Sequence, residues 1–106
     1  MSEPIDADAL LFDDVLREAK VPVLVDFWAA WCGPCRLAAP EVQRTAAAVA
    51  GRGLVLKVDT DRHPEIAARY NVQGIPNFVV LKNGRLVAQQ AGLAGHAELT
   101  RMIEAA

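Results

Sequence analysis

Cys32 and Cys35 are the only cysteines in this 106-residue chain, and they stand where an apolar stretch gives way to a helical one. Two thiols at that spacing point first to a reversible disulfide, because a bridge needs Cα atoms roughly 4.4–6.8 Å apart and one helical turn supplies that span. A thiolate at a helix start meets unpaired backbone N–H groups and the positive end of the dipole. Its pKa falls, and it becomes a nucleophile near neutral pH. Cys32 is expected to be that exposed thiolate, with Cys35 shielded in the first turn as the resolving thiol. Between them, Pro34 suits a first helical position, and Gly33 permits a tight turn and the close approach of a substrate backbone. No histidine lies between the cysteines. The site therefore lacks the extra positive charge that would favour the thiolate and make the disulfide more oxidising, which argues for a reductant.

Two other readings of the pair stay open: a metal half-site, or cysteines with no redox work. Zinc needs four ligands, and the only other soft candidates, His63 and His96, lack knuckle spacing. Two charged residues stand out in apolar surroundings. Asp26 sits among Val23, Leu24, Val25, Phe27 and Trp28, so in a central strand its carboxylate is desolvated and its pKa rises. At a strand end it would simply face water. Lys57 interrupts Val55, Leu56 and Val58; it either pairs with Asp26 from a neighbouring strand or snorkels to the surface.

The run Trp31-Cys32-Gly33-Pro34-Cys35, following Asp26-Phe27-Trp28, resembles the active site of the thioredoxin family. The resemblance extends to Lys57 in its strand, Gly74-Ile75-Pro76, Lys82-Asn83-Gly84 and Gly92, and so covers the whole domain. It implies a thioredoxin fold and a protein disulfide reductase. In that family Asp26 takes the place of the buried acid that moves a proton to and from the resolving cysteine, with Lys57 tuning it, and Ile75-Pro76 takes the place of a cis-proline loop against the disulfide. The backbone of Ile75 would then pair with an extended substrate segment, inside a small apolar surface made by Trp31, Gly74, Ile75, Pro76 and Gly92. The resemblance also implies recycling by an NADPH-dependent flavoprotein reductase, no cofactor bound to the chain itself, and a monomer. Asn77 stands where a threonine is more usual, which leaves fine substrate preference open, and Arg36 replaces a lysine while keeping its charge.

The elements that must position these residues can be read locally. Asp8 to Lys20 has helical apolar spacing with acidic residues early and basic ones late. Val21 to Trp28 and Leu54 to Asp59 read as strands buried on both faces. Cys35 to about Ala50 reads as a long helix interrupted by Pro40 and closed by Gly51 and Gly53. A short helix with Pro64 in its first turn is expected to be capped by Thr60 or Asp61 and to close at Asn71. Asn83-Gly84 between apolar runs is a strong hairpin signal, and an amphipathic helix from about His96 to Ala105 ends the chain. Glu3 to Asp8 is too short and polar to assign as a strand. These elements assemble into an α/β fold with a mixed sheet of four to five strands flanked by about four helices.

The length suits one domain over residues 1–106, burying roughly 60–70% of the unfolded surface. A net charge of −2 offers no broad attraction to nucleic acid or an anionic membrane. The N-terminal residues lack a basic and apolar leader pattern, and the longest apolar stretch is broken by Pro22 and Asp26. A cytoplasmic chain is therefore expected. Two functions compete with reduction: a binding module using the Trp31 and Pro76 surface without turnover, and an oxidase or isomerase with a more oxidising disulfide.

Overall fold

The computed structural model describes residues 2–106. Its elements run β1 (Ile5–Asp6), α1 (Ala9–Glu18), β2 (Val23–Trp28), α2 (Gly33–Ala48), β3 (Leu54–Asp59), α3 (Pro64–Arg69), β4 (Asn77–Lys82), β5 (Arg85–Ala91) and α4 (His96–Glu104). The strands form one sheet in the order β1-β3-β2-β4-β5. β1, β3 and β2 are parallel, whereas β4 and β5 join antiparallel. This is the expected mixed α/β sheet with helices on both faces. The short β1 settles the unassigned N-terminal segment as a strand, paired to β3 at Ile5–Leu56 and Asp6–Lys57.

β2 is central, and its side chains alternate between two cores. Val23, Val25 and Phe27 join Phe12, Leu56, Val58, Ile66 and Val79 on one face, while Leu24 joins Val42, Val55, Phe78, Val80, Leu99 and Ile103 on the other. Asp26 follows Leu24 by two residues and therefore points to the α2 side. Its register partner Lys57 shares that side.

Several boundaries differ from the local reading for physical reasons. α2 begins at Gly33, before Cys35, because Cys32 itself is the N-cap and Pro34 lies in the first turn. Pro40 lies inside α2, where its missing N–H leaves the Arg36 carbonyl without the usual helical donor. α3 is not capped by Thr60 or Asp61. Its N-cap is His63, which makes no side-chain capping hydrogen bond. Thr60 is engaged through its N–H and hydroxyl with the Trp28 carbonyl, and the Asp61 N–H donates to Asp59 Oδ1 at 2.9 Å. The hairpin at Asn83 (φ 53°) and Gly84 (φ 76°) has two consecutive left-handed residues, which suit the twist of a two-residue connection. Among the described residues, no helix is long and apolar enough to cross a membrane.

Candidate active site

Cys32 and Cys35 are joined as a disulfide, with Cα atoms 5.2 Å apart. As N-cap, Cys32 directs its sulfur at the open end of α2, where the Cys35 N–H donates to Sγ at 3.2 Å. A sulfur so placed gains a charge-assisted hydrogen bond when it becomes a thiolate. The expectation of an exposed Cys32 does not hold: it is 3% exposed, and Cys35 is 6% exposed. Ile75 is the reason, since its carbonyl oxygen lies 3.7 Å from Cys32 Sγ. The two cysteines also form one apolar cluster with Ala29, Trp28 and Ile75. The residues flanking the disulfide, Ala30, Trp31 and Pro34, are exposed, and Gly33 is half-buried.

Beneath the disulfide, Asp26 is 2% exposed, which rules out the solvent-facing alternative. Burial pushes its carboxyl up to about 7, against an opposing pull from Lys57. Among the described residues its Oδ1 has no hydrogen-bond partner. Asp26, Cys35, Lys57 and Trp28 line one cavity of about 280 Å³, so the carboxyl and the second cysteine face the same space. Lys57 is directly across the sheet from Asp26, yet its ammonium lies 4.7 Å from the centre of the Trp28 ring. The expected pairing is present in register but not as an ion pair. A carboxyl titrating near neutrality beside a thiol can take up or return a proton at little cost.

The third part is the Gly74-Ile75-Pro76 loop. The Ile75–Pro76 bond is cis, and Gly92 (φ 91°) donates its N–H to the Pro76 carbonyl at 2.8 Å, bringing the two loops together. Among the described residues the Ile75 N–H has no backbone partner. Trp31, Thr60, Val72, Gly74 and Ile75 line a shallow cavity of about 230 Å³. Trp31, next to Cys32 in the chain, is 67% exposed and forms an apolar rim beside the buried sulfurs.

Sequence reasoning missed the residues that hold this rim. Trp31 Nε1 donates to Asp61 Oδ2 at 3.0 Å, fixing the indole from a turn 30 residues away. Arg36 Nη1 donates to the Ala30 carbonyl at 2.7 Å and closes the turn before the cysteines. Gln89 reaches Asn77 across the hairpin. The Trp31–Asp61 bond carries no local pattern, because it joins segments 30 residues apart that only the fold makes neighbours. His63 and His96 take no part in the disulfide site, and no cluster of three metal-ligating side chains occurs among the described residues.

The family model described as Thioredoxin matches residues 4–105. Thioredoxin 1 of Chlorobaculum tepidum is 40% identical over 95 residues, covering 90% of this chain and 94% of that protein. Thioredoxin of Haemophilus influenzae is 35% identical over 103 residues, covering 97% and 96%. The solved structure of a point variant of thioredoxin from Halobacterium salinarum superposes with a TM-score of 0.89 at 33% identity, covering 98% of this chain and 90% of that one. Chloroplastic thioredoxin z shares the fold, with a TM-score of 0.87 at 24% identity and coverage of 97% and 93%.

Proposed function

The chain belongs to the thioredoxin family and is a protein disulfide oxidoreductase that reduces disulfides in other proteins with the Cys32–Cys35 pair; from that premise we propose how its side chains divide the work. Cys32 attacks. Its thiolate bonds to one sulfur of the partner's disulfide, the partner's S–S bond breaks, and the other partner sulfur leaves as a thiolate that takes up a proton. In the mixed disulfide, the Cys35 thiol gives its proton to the Asp26 carboxylate, directly or through water, and attacks Cys32 Sγ. The Cys32–Cys35 bond closes, the second partner sulfur leaves, and two electrons have passed to the partner.

The observation that carries this reading is the pairing of a buried, unpartnered Asp26 oxygen with Cys35 in one cavity. Lys57 tunes that carboxyl, while Gly33 and Pro34 shape the turn. Substrate segments lie extended against the Ile75 backbone, between Trp31, Gly74, Pro76 and Gly92, and the open Ile75 N–H supports that placement. Family membership implies protein disulfides and thioredoxin reductase as partners. We take that reductase to be a flavoprotein drawing on NADPH, and the chain to act in the cytoplasm as a monomer, one domain over residues 1–106, without a cofactor of its own.

The test is the equilibrium reduction potential of Cys32–Cys35, titrated against a defined dithiol buffer with thiol alkylation as readout. A value more reducing than the glutathione pool is expected. A value at or above it moves the reading to oxidation or isomerisation, and the absence of a reversible couple leaves a binding surface without turnover.

A further inference from the structure

The segment from Gly92 to Gly95 leads from the proposed substrate groove into α4, and it is fastened at both ends. At its start the Gly92 N–H donates to the Pro76 carbonyl at 2.8 Å, which joins it to the cis-proline loop. At its end the His96 N–H donates to Glu41 Oε1 at 3.1 Å, and His96 Nδ1 lies 3.0 Å from the same oxygen. Glu41 follows Pro40 on α2, the helix whose N-cap is Cys32. The helix that begins at the disulfide is therefore bonded to the same short segment that holds the Pro76 carbonyl.

Glu41 supplies what the segment lacks. The N-cap of α4 is Gly95, which makes no side-chain capping hydrogen bond, and the first N–H groups of a helix need an acceptor from elsewhere when the cap has none. A Cβ on Gly95 would lie 3.4 Å from Glu41 Oε1, so the carboxylate is seated directly against the cap. Its second oxygen is engaged within α2, 3.4 Å from Arg44 Nη1, which leaves Oε1 to α4. Glycines at both ends of the segment place little restraint on its backbone. Ala94 shares a core cluster with Val42 and Leu99 but anchors the segment through a single methyl, and Leu93 is 53% exposed. The hydrogen bonds at Gly92 and His96 therefore set how the segment lies.

We propose that Glu41 is a positioning residue for the substrate groove: by tying the start of α4 to α2 it fixes the segment from Gly92 to Gly95, and through the Gly92 N–H it holds the Pro76 carbonyl and the adjoining Ile75 backbone in place against a partner's extended segment. The effect on substrate rests on the groove placed above along Ile75 and Gly92. The tie between Glu41 and Gly92 does not.

The test is steady-state reduction of a peptide carrying one disulfide, read beside reduction of a small aromatic disulfide and beside the Gly92 amide resonance of the oxidised protein. Glu41→Ala is expected to raise KM for the peptide by roughly fivefold, with kcat and reduction of the small disulfide little changed, and to shift the Gly92 resonance. Glu41→Gln keeps an acceptor oxygen and is expected to stay near the wild type in both. Adding Gly95→Ser to Glu41→Ala gives α4 an N-cap of its own, at an extended backbone position that suits one. The double variant is expected to regain the melting temperature while KM stays raised and Gly92 stays shifted. An unmoved Gly92 resonance in Glu41→Ala overturns the proposal. So does recovery of KM together with melting temperature in the double variant, since Glu41 would then be a helix cap alone. A shifted Gly92 with an unchanged KM removes Gly92 from the groove, and so overturns the placement of substrate on which the proposal rests.

Discussion

Gln89 Nε2 donates to Asn77 Oδ1 at 3.1 Å and to the Tyr70 carbonyl at 3.0 Å, tying the strand that follows cis-Pro76 to the end of α3. Asn77 is 4% exposed and occupies the position where its family more usually has threonine. The Asn77 amide oxygen reaches across the hairpin to a donor on the neighbouring strand. The departure noted at Asn77 is thus matched by a residue on the neighbouring strand, directly behind the Ile75–Pro76 loop.

Gln89→Leu removes that donor and lets the loop relax. A lost hydrogen bond of this kind is worth about 1 kcal/mol, or roughly fivefold in an equilibrium. KM for protein disulfides is expected to rise by about that factor with kcat little changed, and reduction of a small aromatic disulfide is expected to respond less. Steady-state kinetics with both substrates checks it, and equal losses would place Gln89 in general stability instead.

Cys35→Ser leaves the attacking sulfur without its resolving partner, so disulfide-linked adducts are expected to accumulate on Cys32. Cys32→Ser is expected to trap none. Non-reducing electrophoresis after alkylation reads both, and comparable trapping by the two variants would remove the assigned order of attack.

Asp26→Asn separates stability from activity. In the folded chain this carboxyl titrates at about 7 rather than near its ordinary 3.8, so between those values the folded state holds a proton that the unfolded state has released. Below the ordinary value the group costs nothing. Its destabilisation grows as pH rises and is complete above the folded value, approaching roughly 4 kcal/mol as an upper bound. Asp26→Asn is therefore expected to stabilise the protein at pH 8, with the gain shrinking toward pH 4. Partner reduction at neutral pH is expected to slow by roughly tenfold to a hundredfold. Urea denaturation at several pH values and a pH–rate profile measure the two effects.

Glu41 of α2 caps α4 from outside: its Oε1 accepts the His96 N–H at 3.1 Å and sits 3.0 Å from His96 Nδ1, while the N-cap residue, Gly95, has no side chain to offer. Hydrogen bonding from His96 holds the Glu41 carboxyl below its ordinary value. That contribution is present above the ordinary carboxylate range and is lost as pH falls through the folded value. Glu41→Ala is expected to lower Tm at pH 7 and to match the wild type in strong acid, as followed by thermal melts.

Gly53 is required by space rather than by backbone conformation. A Cβ there would stand 2.9 Å from Ile103 Cγ2 and 3.4 Å from both the Pro22 carbonyl oxygen and Val49 Cγ2. Ile103 is buried in the core under α4, so it has little room to yield. Gly53→Ala is expected to cost about 1–3 kcal/mol by overpacking, seen as a lower urea midpoint with an unchanged slope.

Local patterns carried most of the architecture. β3 matches its apolar run residue for residue, the Asn83-Gly84 turn forms as its residue types demand, and the cysteine pair lies at a helix start because Pro34 favours the first turn. Local reasoning failed at Thr60 and Asp61, whose capping potential is diverted to the Trp28 carbonyl, Asp59 and Trp31. It also failed for Cys32, which is buried by a carbonyl 43 residues away.

The sequence by itself determined every element but the short β1, that two thiols stand one helical turn apart, and that an acid and a base interrupt apolar strands. Those properties depend on periodicity, turn chemistry and spacing within a few residues. Only the tertiary structure decided that Asp26 shares a cavity with Cys35, that Lys57 lies over Trp28 instead of against Asp26, and that Ile75 covers the attacking sulfur. Sheet register and helix packing set the distances between distant segments, and the competition among buried charges turns on those distances.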